Sequence, residues 1–140
     1  MELLQLENVQ VYKDAADWRD AIRKSAKPLE EHGYVEPRYK DEIIKNVEDM
    51  GAYIVIAENI ALPHARPEQG VLRTQIGVAL FQNPVAFDNG AKAQLFITLA
   101  AENSDSHLEA LVQISELLSD EENVKKILAS KSSEELYHYF

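Results

Sequence analysis

A histidine held between two prolines at the end of an apolar run is the residue in this chain best placed to do chemistry. Residues 54–67 read Ile-Val-Ile-Ala-Glu-Asn-Ile-Ala-Leu-Pro-His-Ala-Arg-Pro, so that His64 falls between Pro63 and Pro67. The β-branched run predicts a strand, and Pro63, which has no N–H to donate, predicts that the sheet releases the chain just before the imidazole. Ala65 is small and leaves the ring approachable, while the prolines limit the backbone entropy lost on fixing it. An imidazole presented in this way serves as a nucleophile, an acid–base group or a metal ligand.

A second histidine is framed by a helix start. Ser106-His107-Leu108-Glu109 has the spacing of a capping box, which predicts a helix beginning at Ser106 with His107 in its first turn. There the unpaired amide donors and the positive end of the helix dipole attract anions. The preceding run, Phe96 to Ala101, reads as a strand. If it lies parallel to the strand before His64, both histidines leave the same sheet edge, where open α/β sheets place their ligands. His32 and His138 have no such frame and read as ordinary residues. A metal-dependent hydrolase using His64 and His107 with Glu58 or Asp105 is an alternative, weakened because no two histidines have metal-ligand spacing along one helix.

The elements that must position these groups follow from periodicity. Val9 and Val11 suggest a short strand; a helix then runs from Ala15 to Glu31, capped by Asp14, with Pro28 bending or restarting its last turn and Gly33 stopping it. Tyr39, Ile43, Val47 and Met50 recur at helical spacing up to Gly51. Three apolar runs, Tyr53 to Ala57, Gln75 to Phe81 and Gln94 to Ala100, read as strands covered on both faces by helices. Asn83-Pro84 and Asp88-Asn89-Gly90 read as turns. Leu108, Leu111, Val112, Ser115 and Leu118 trace one helix face, with further helices over 121–129 and 134–140. The expected fold is a layered α/β domain, a mixed and mostly parallel β-sheet flanked by α-helices.

Composition narrows the chemistry. The 140 residues suffice for one domain burying about two thirds of its unfolded surface. With 24 acidic and 14 basic residues, the formal net charge is −10, a field that on average repels nucleic acid and anionic lipid and favours basic protein faces. There is no cysteine, which excludes disulfides, thiolate metal sites and a cysteine nucleophile. No stretch approaches the roughly 18 to 20 apolar residues of a membrane span, and residues 1–7 lack the pattern of a signal peptide. A soluble, cytoplasmic protein is expected.

Residues 59–65, Asn-Ile-Ala-Leu-Pro-His-Ala, resemble the phosphorylation-site signature of the mannitol/fructose-type enzyme IIA domains of the bacterial phosphoenolpyruvate-dependent sugar phosphotransferase system. The resemblance spans nearly the whole chain, so residues 1–140 are identified as one such domain (type 2). The stretch from Tyr53 to Glu68, with Pro28-Leu29 and Glu36-Pro-Arg-Tyr39, is most similar to the ascorbate-specific branch. The resemblance implies that His64 takes a phosphoryl group on Nε2 from the histidine phosphocarrier protein and passes it to a cysteine of enzyme IIB, energising sugar uptake through the membrane enzyme IIC. It also implies that His107 lies beside it as a phosphate stabiliser, with no cofactor or metal required. Mannitol-specific members carry an active-site arginine in the preceding helix, where Lys45, Asn46, Val47 and Glu48 stand here. Arg66 is the substitute cation expected, with Ser104 and Ser106 as phosphate hydrogen-bonders. A regulatory, nitrogen-type enzyme IIA is the near alternative, and a homodimer is left open.

Overall fold

Apolar residues on alternating faces of two central strands require cover on both sides, and the chain supplies it with helices. The computed structural model describes residues 1–140. Strands β1 (Val9–Tyr12), β2 (Val55–Ala57), β3 (Asn59–Ala61), β4 (Gln75–Ala86) and β5 (Lys92–Ala100) form one sheet in the order β1-β4-β5-β3-β2. The sheet is mixed: β1 and β3 run parallel to β4 and β5 respectively, while β4·β5 and β2·β3 are antiparallel. The five helices are α1 (Trp18–Glu31), α2 (Tyr39–Met50), α3 (Ser104–Leu118), α4 (Glu121–Leu128) and α5 (Ser133–His138).

Two cores follow from the pleat. Ala79, Phe81 and Val85 of β4 pack with Ile22 and Leu29 of α1 and Ile43 of α2. Ile76, Val78 and Leu80 face the other way, onto Ala110 and Ile114 of α3, Ile127 of α4 and Leu136 of α5. A strand buried on both faces contributes apolar transfer free energy from every residue, about 1.5–3 kcal/mol for each large side chain. The α/β layering read from the sequence is the layering observed.

Several local expectations are corrected. The α1 cap is Asp17, whose side chain accepts from the Asp20 amide, and not Asp14. Pro28 does not restart α1, which continues to Glu31; Gly33, at φ +80°, ends it with Tyr34 N–H bonded to Leu29 O and Gly33 N–H to Glu30 O. The single strand expected before Pro63 is a tight hairpin, because Asn59 takes a left-handed conformation at φ 66° and turns β2 back on β3. Its outer strand β2 is an exposed edge, with Ile56 49% accessible, and is not covered on both faces. Asn83-Pro84 makes no turn: β4 runs through it to Ala86. Proline is tolerated there because β1 ends opposite Phe81 and the β4·β5 register shifts between Leu80 and Val85, so no ladder bond needs its N–H. On α3 the buried face is Ala110 and Ile114, whereas Leu108 and Val112 are 63% and 49% exposed.

Candidate active site

The parallel pairing of β3 with β5 decides where the two histidines go. Both strands end at the same sheet edge; His64 lies three residues beyond β3, and α3 opens four residues beyond β5. Although β3 ends at Ala61, Leu62 N–H still bonds Ile54 O and Pro63 O still accepts from Leu99 N–H, so the chain leaves the sheet at Pro63. The imidazoles of His64 and His107 meet with ring centroids 5.7 Å apart. They share a cavity of about 460 Å3 whose lining includes Asn46, Tyr53, Arg66 and Ser104.

Hydrogen bonding fixes the His64 tautomer. Its Nδ1 lies 2.7 Å from the carbonyl oxygen of Leu62. A carbonyl only accepts, so Nδ1 carries the proton, and in the neutral ring the free lone pair belongs to Nε2. Nε2 makes no hydrogen bond and is not sealed from solvent. Burial holds the His64 pKa below its ordinary 6.5; the Leu62 carbonyl pulls it back up, and His107 pushes it down again. The neutral, nucleophilic form is therefore favoured at pH 7.

The backbone around this ring is tied down by two tyrosines that the sequence reading did not single out. Tyr53 donates its hydroxyl to His64 O at 2.6 Å and sets its ring edge-on to the imidazole. Tyr39, fully buried, donates to Leu99 O at 2.6 Å and accepts from Ala65 N–H at 3.0 Å. Burial raises both phenol pKa values, so both hydroxyls keep their protons at neutral pH. The next turn is held by Gln69, whose Oε1 accepts from Arg66 N–H at 2.8 Å and from Asn46 Nδ2 at 3.2 Å, while its Nε2 donates to Glu42. Asn46 thus reaches the cavity as a neutral amide on α2.

The remaining candidates separate. Arg66 lines the cavity, but its side chain is 74% exposed and pairs with Glu68 at 3.1 Å. Ser104 lines the cavity as the first residue of α3. Ser106, expected as the helix cap, lies inside the helix instead. The cap is Asn103, which accepts from Ser106 N–H at 2.8 Å; the Ser106 hydroxyl turns to Asn103 and Thr74, outside the cavity lining. The helix starts earlier, at Ser104, so His107 is its fourth residue, at the end of the first turn, and its own N–H bonds Asn103 O. Glu58 and Asp105 do not line the cavity, and no three His, Asp or Glu side chains converge to hold a metal ion.

An α/β scaffold that brings two imidazoles together at the carboxyl ends of parallel strands, one with its Nε2 lone pair free, has the geometry of a histidine phosphoryl-transfer domain. Residues 2–140 match the family model for the phosphoenolpyruvate-dependent sugar phosphotransferase system, EIIA 2, and the chain belongs to that family. Its members are phosphotransferase components that relay phosphate for sugar uptake. The chain is 33% identical over 137 residues to the ascorbate-specific EIIA component of Escherichia coli K12, covering 96% of this chain and 89% of that protein. The solution structure of the mannitol-specific cryptic enzyme IIA of Escherichia coli superimposes with a TM-score of 0.92 at 32% identity, over 99% of this chain and 95% of that one. Enzyme IIA in the Escherichia coli mannitol IIA complex with phosphorylated enzyme IIB gives a TM-score of 0.84 at 26% identity, over 97% and 95%.

Proposed function

We propose that His64 Nε2 is the phosphoryl acceptor of a cytoplasmic sugar-uptake relay, loaded by the histidine phosphocarrier protein and discharged to a cysteine of enzyme IIB, which serves the membrane enzyme IIC in L-ascorbate uptake. The observation that carries this reading is the Nδ1–H bond to Leu62 O, which leaves Nε2 as the free nucleophile. In the first step the Nε2 lone pair attacks phosphorus and the N–P bond of the donor breaks, its electron pair returning to the donor imidazole. The His64 ring then carries a positive charge, which the Leu62 carbonyl stabilises through Nδ1–H. A cationic ring is a good leaving group. In the second step a thiolate attacks phosphorus and the electron pair of the His64 N–P bond returns to Nε2.

Phosphoryl transfer asks mainly for in-line positioning and for neutralisation of the equatorial oxygens. His107 and the Ser104 hydroxyl supply donors beside His64, and Arg66 becomes a cation for the phosphate by exchanging Glu68 for it. Such a surface pair contributes about 0–1 kcal/mol, so the exchange costs little. Exposed Met50, on the cavity rim, gives the mouth an apolar contact suited to a protein partner. The ascorbate assignment is supported by the relative named ascorbate-specific.

Reconstitution tests the reading. With phosphoenolpyruvate, enzyme I and the carrier, the protein should become labelled and should discharge faster to an ascorbate-specific enzyme IIB than to a mannitol-specific one. Equal or reversed discharge would sink the ascorbate assignment, and labelling without discharge to any enzyme IIB would favour a regulatory enzyme IIA.

A further inference from the structure

A second concavity, of about 250 Å3, lies on the α1 flank and is lined by Arg23, Lys24, Lys27, Glu30 and Lys40, with no apolar side chain among them. It shares no residue with the His64 cavity. Four of the 14 basic residues of a chain with net charge −10 gather here around one carboxylate. Two of the four are answered from within: Lys24 Nζ sits 2.7 Å from Asp20, and Lys40 Nζ sits 2.5 Å from Glu30 and 2.7 Å from Pro37 O. Arg23 and Lys27 are exposed and form no ion pair.

These two stand one helical turn apart, where like charges repel by a few tenths of a kcal/mol. With 24 acidic residues in the chain, neither is given a partner. Glu30, the only acid in the lining, is already committed to Lys40. The recess is too small for the face of another protein and has no apolar wall for an aromatic or aliphatic ligand. Its chemistry suits a compact anion: the guanidinium fork of Arg23 matches two oxygens of a tetrahedral oxyanion, and Lys27 adds a point charge from the next turn.

We infer that the Arg23–Lys27 cleft binds a phosphate group, free or on a lipid headgroup, at a site separate from His64. The inference does not rest on the relay.

Amide NMR titration with inorganic phosphate, at constant ionic strength set with sodium chloride, reads both loci in one experiment. Saturable shifts are expected along α1 and at the start of α2, and Arg23→Gln/Lys27→Gln should weaken binding by at least about tenfold, since both charge-assisted contacts are lost. Shifts at Ala65 and Asn103 report the other cavity and should be unchanged by the double variant, as should labelling of His64. Co-sedimentation with vesicles of equal parts phosphatidylglycerol and phosphatidylcholine, against phosphatidylcholine alone, identifies the source. Phosphate shifts without vesicle binding assign the site to a free phosphoryl ligand; vesicle binding lost in the double variant assigns it to a headgroup. Absence of both responses, or a double variant that responds like the parent, would overturn the proposal.

Discussion

Tyr53 engages His64 twice: its hydroxyl donates to the His64 carbonyl oxygen at 2.6 Å, and its ring meets the imidazole edge-on, with centroids 5.3 Å apart and planes at 82°. One side chain therefore fixes both the backbone of the acceptor residue and the plane of its ring. Tyr53→Phe keeps the ring contact and removes only the hydrogen bond. It should unfold about 0.5–1.5 kcal/mol more easily in urea while transferring phosphate several-fold more slowly, a misplacement cost on the scale seen for reacting groups shifted by fractions of an ångström. Rapid-quench transfer rates at the parent's value would show that this bond has no part in positioning His64.

Tyr39 should behave differently. Its phenol is buried and joins Leu99 O to Ala65 N–H, so Tyr39→Phe leaves a buried acceptor and a donor without partners. The expected cost is about 2–4 kcal/mol, from two groups each losing its hydrogen bond. Urea denaturation checks this, and a loss smaller than that of Tyr53→Phe would contradict it.

The pH dependence carries a sign set by burial. Because the folded His64 pKa lies below the ordinary 6.5, the neutral nucleophile persists as pH falls through that value, and phosphoryl acceptance should decline only at lower pH. The linked stability is fully present above 6.5, where unfolded and folded rings are both neutral. It is lost as pH falls from there through the folded value, since the unfolded ring takes up its proton first. His107→Ala removes a neighbour that pushes the pKa down, so the His64 midpoint should rise. Ring-nitrogen NMR titration measures both, and a parent midpoint at or above 6.5 would contradict the account.

Much of this site is legible in the sequence. Proline framing located His64, and a strand followed by a capping signal located the first turn of the helix carrying His107; parallel β3 and β5 then made neighbours of them. The exact cap was not legible because Asn103 and Ser106 both have capping chemistry three residues ahead of a possible partner, and spacing does not choose between them. The β2·β3 hairpin was hidden because its turn, Glu58 and the left-handed Asn59, contains no glycine or proline to mark it. Tyr39 and Tyr53 were invisible for a different reason. Their partners are main-chain atoms 26, 60 and 11 residues away, and no periodicity in side chains records a backbone acceptor.

Charge should govern the encounter with the carrier. A protein of net charge −10 steers toward a basic face, and that attraction is screened over about 10 Å at 0.1 M salt. Stopped-flow association with the phosphocarrier should slow on the order of tenfold between low and physiological ionic strength. Salt-independent association would argue against electrostatic steering.

The central claim is that His64 Nε2 bears the phosphoryl group. The protein, incubated with phosphoenolpyruvate, enzyme I and the carrier and analysed under conditions that preserve phosphohistidine, should carry one phosphate on the peptide containing His64. His107→Ala should still be labelled there, though more slowly, and His64→Ala should not be labelled at all. Undiminished labelling of His64→Ala, or phosphate on His107 in the parent protein, would contradict the account.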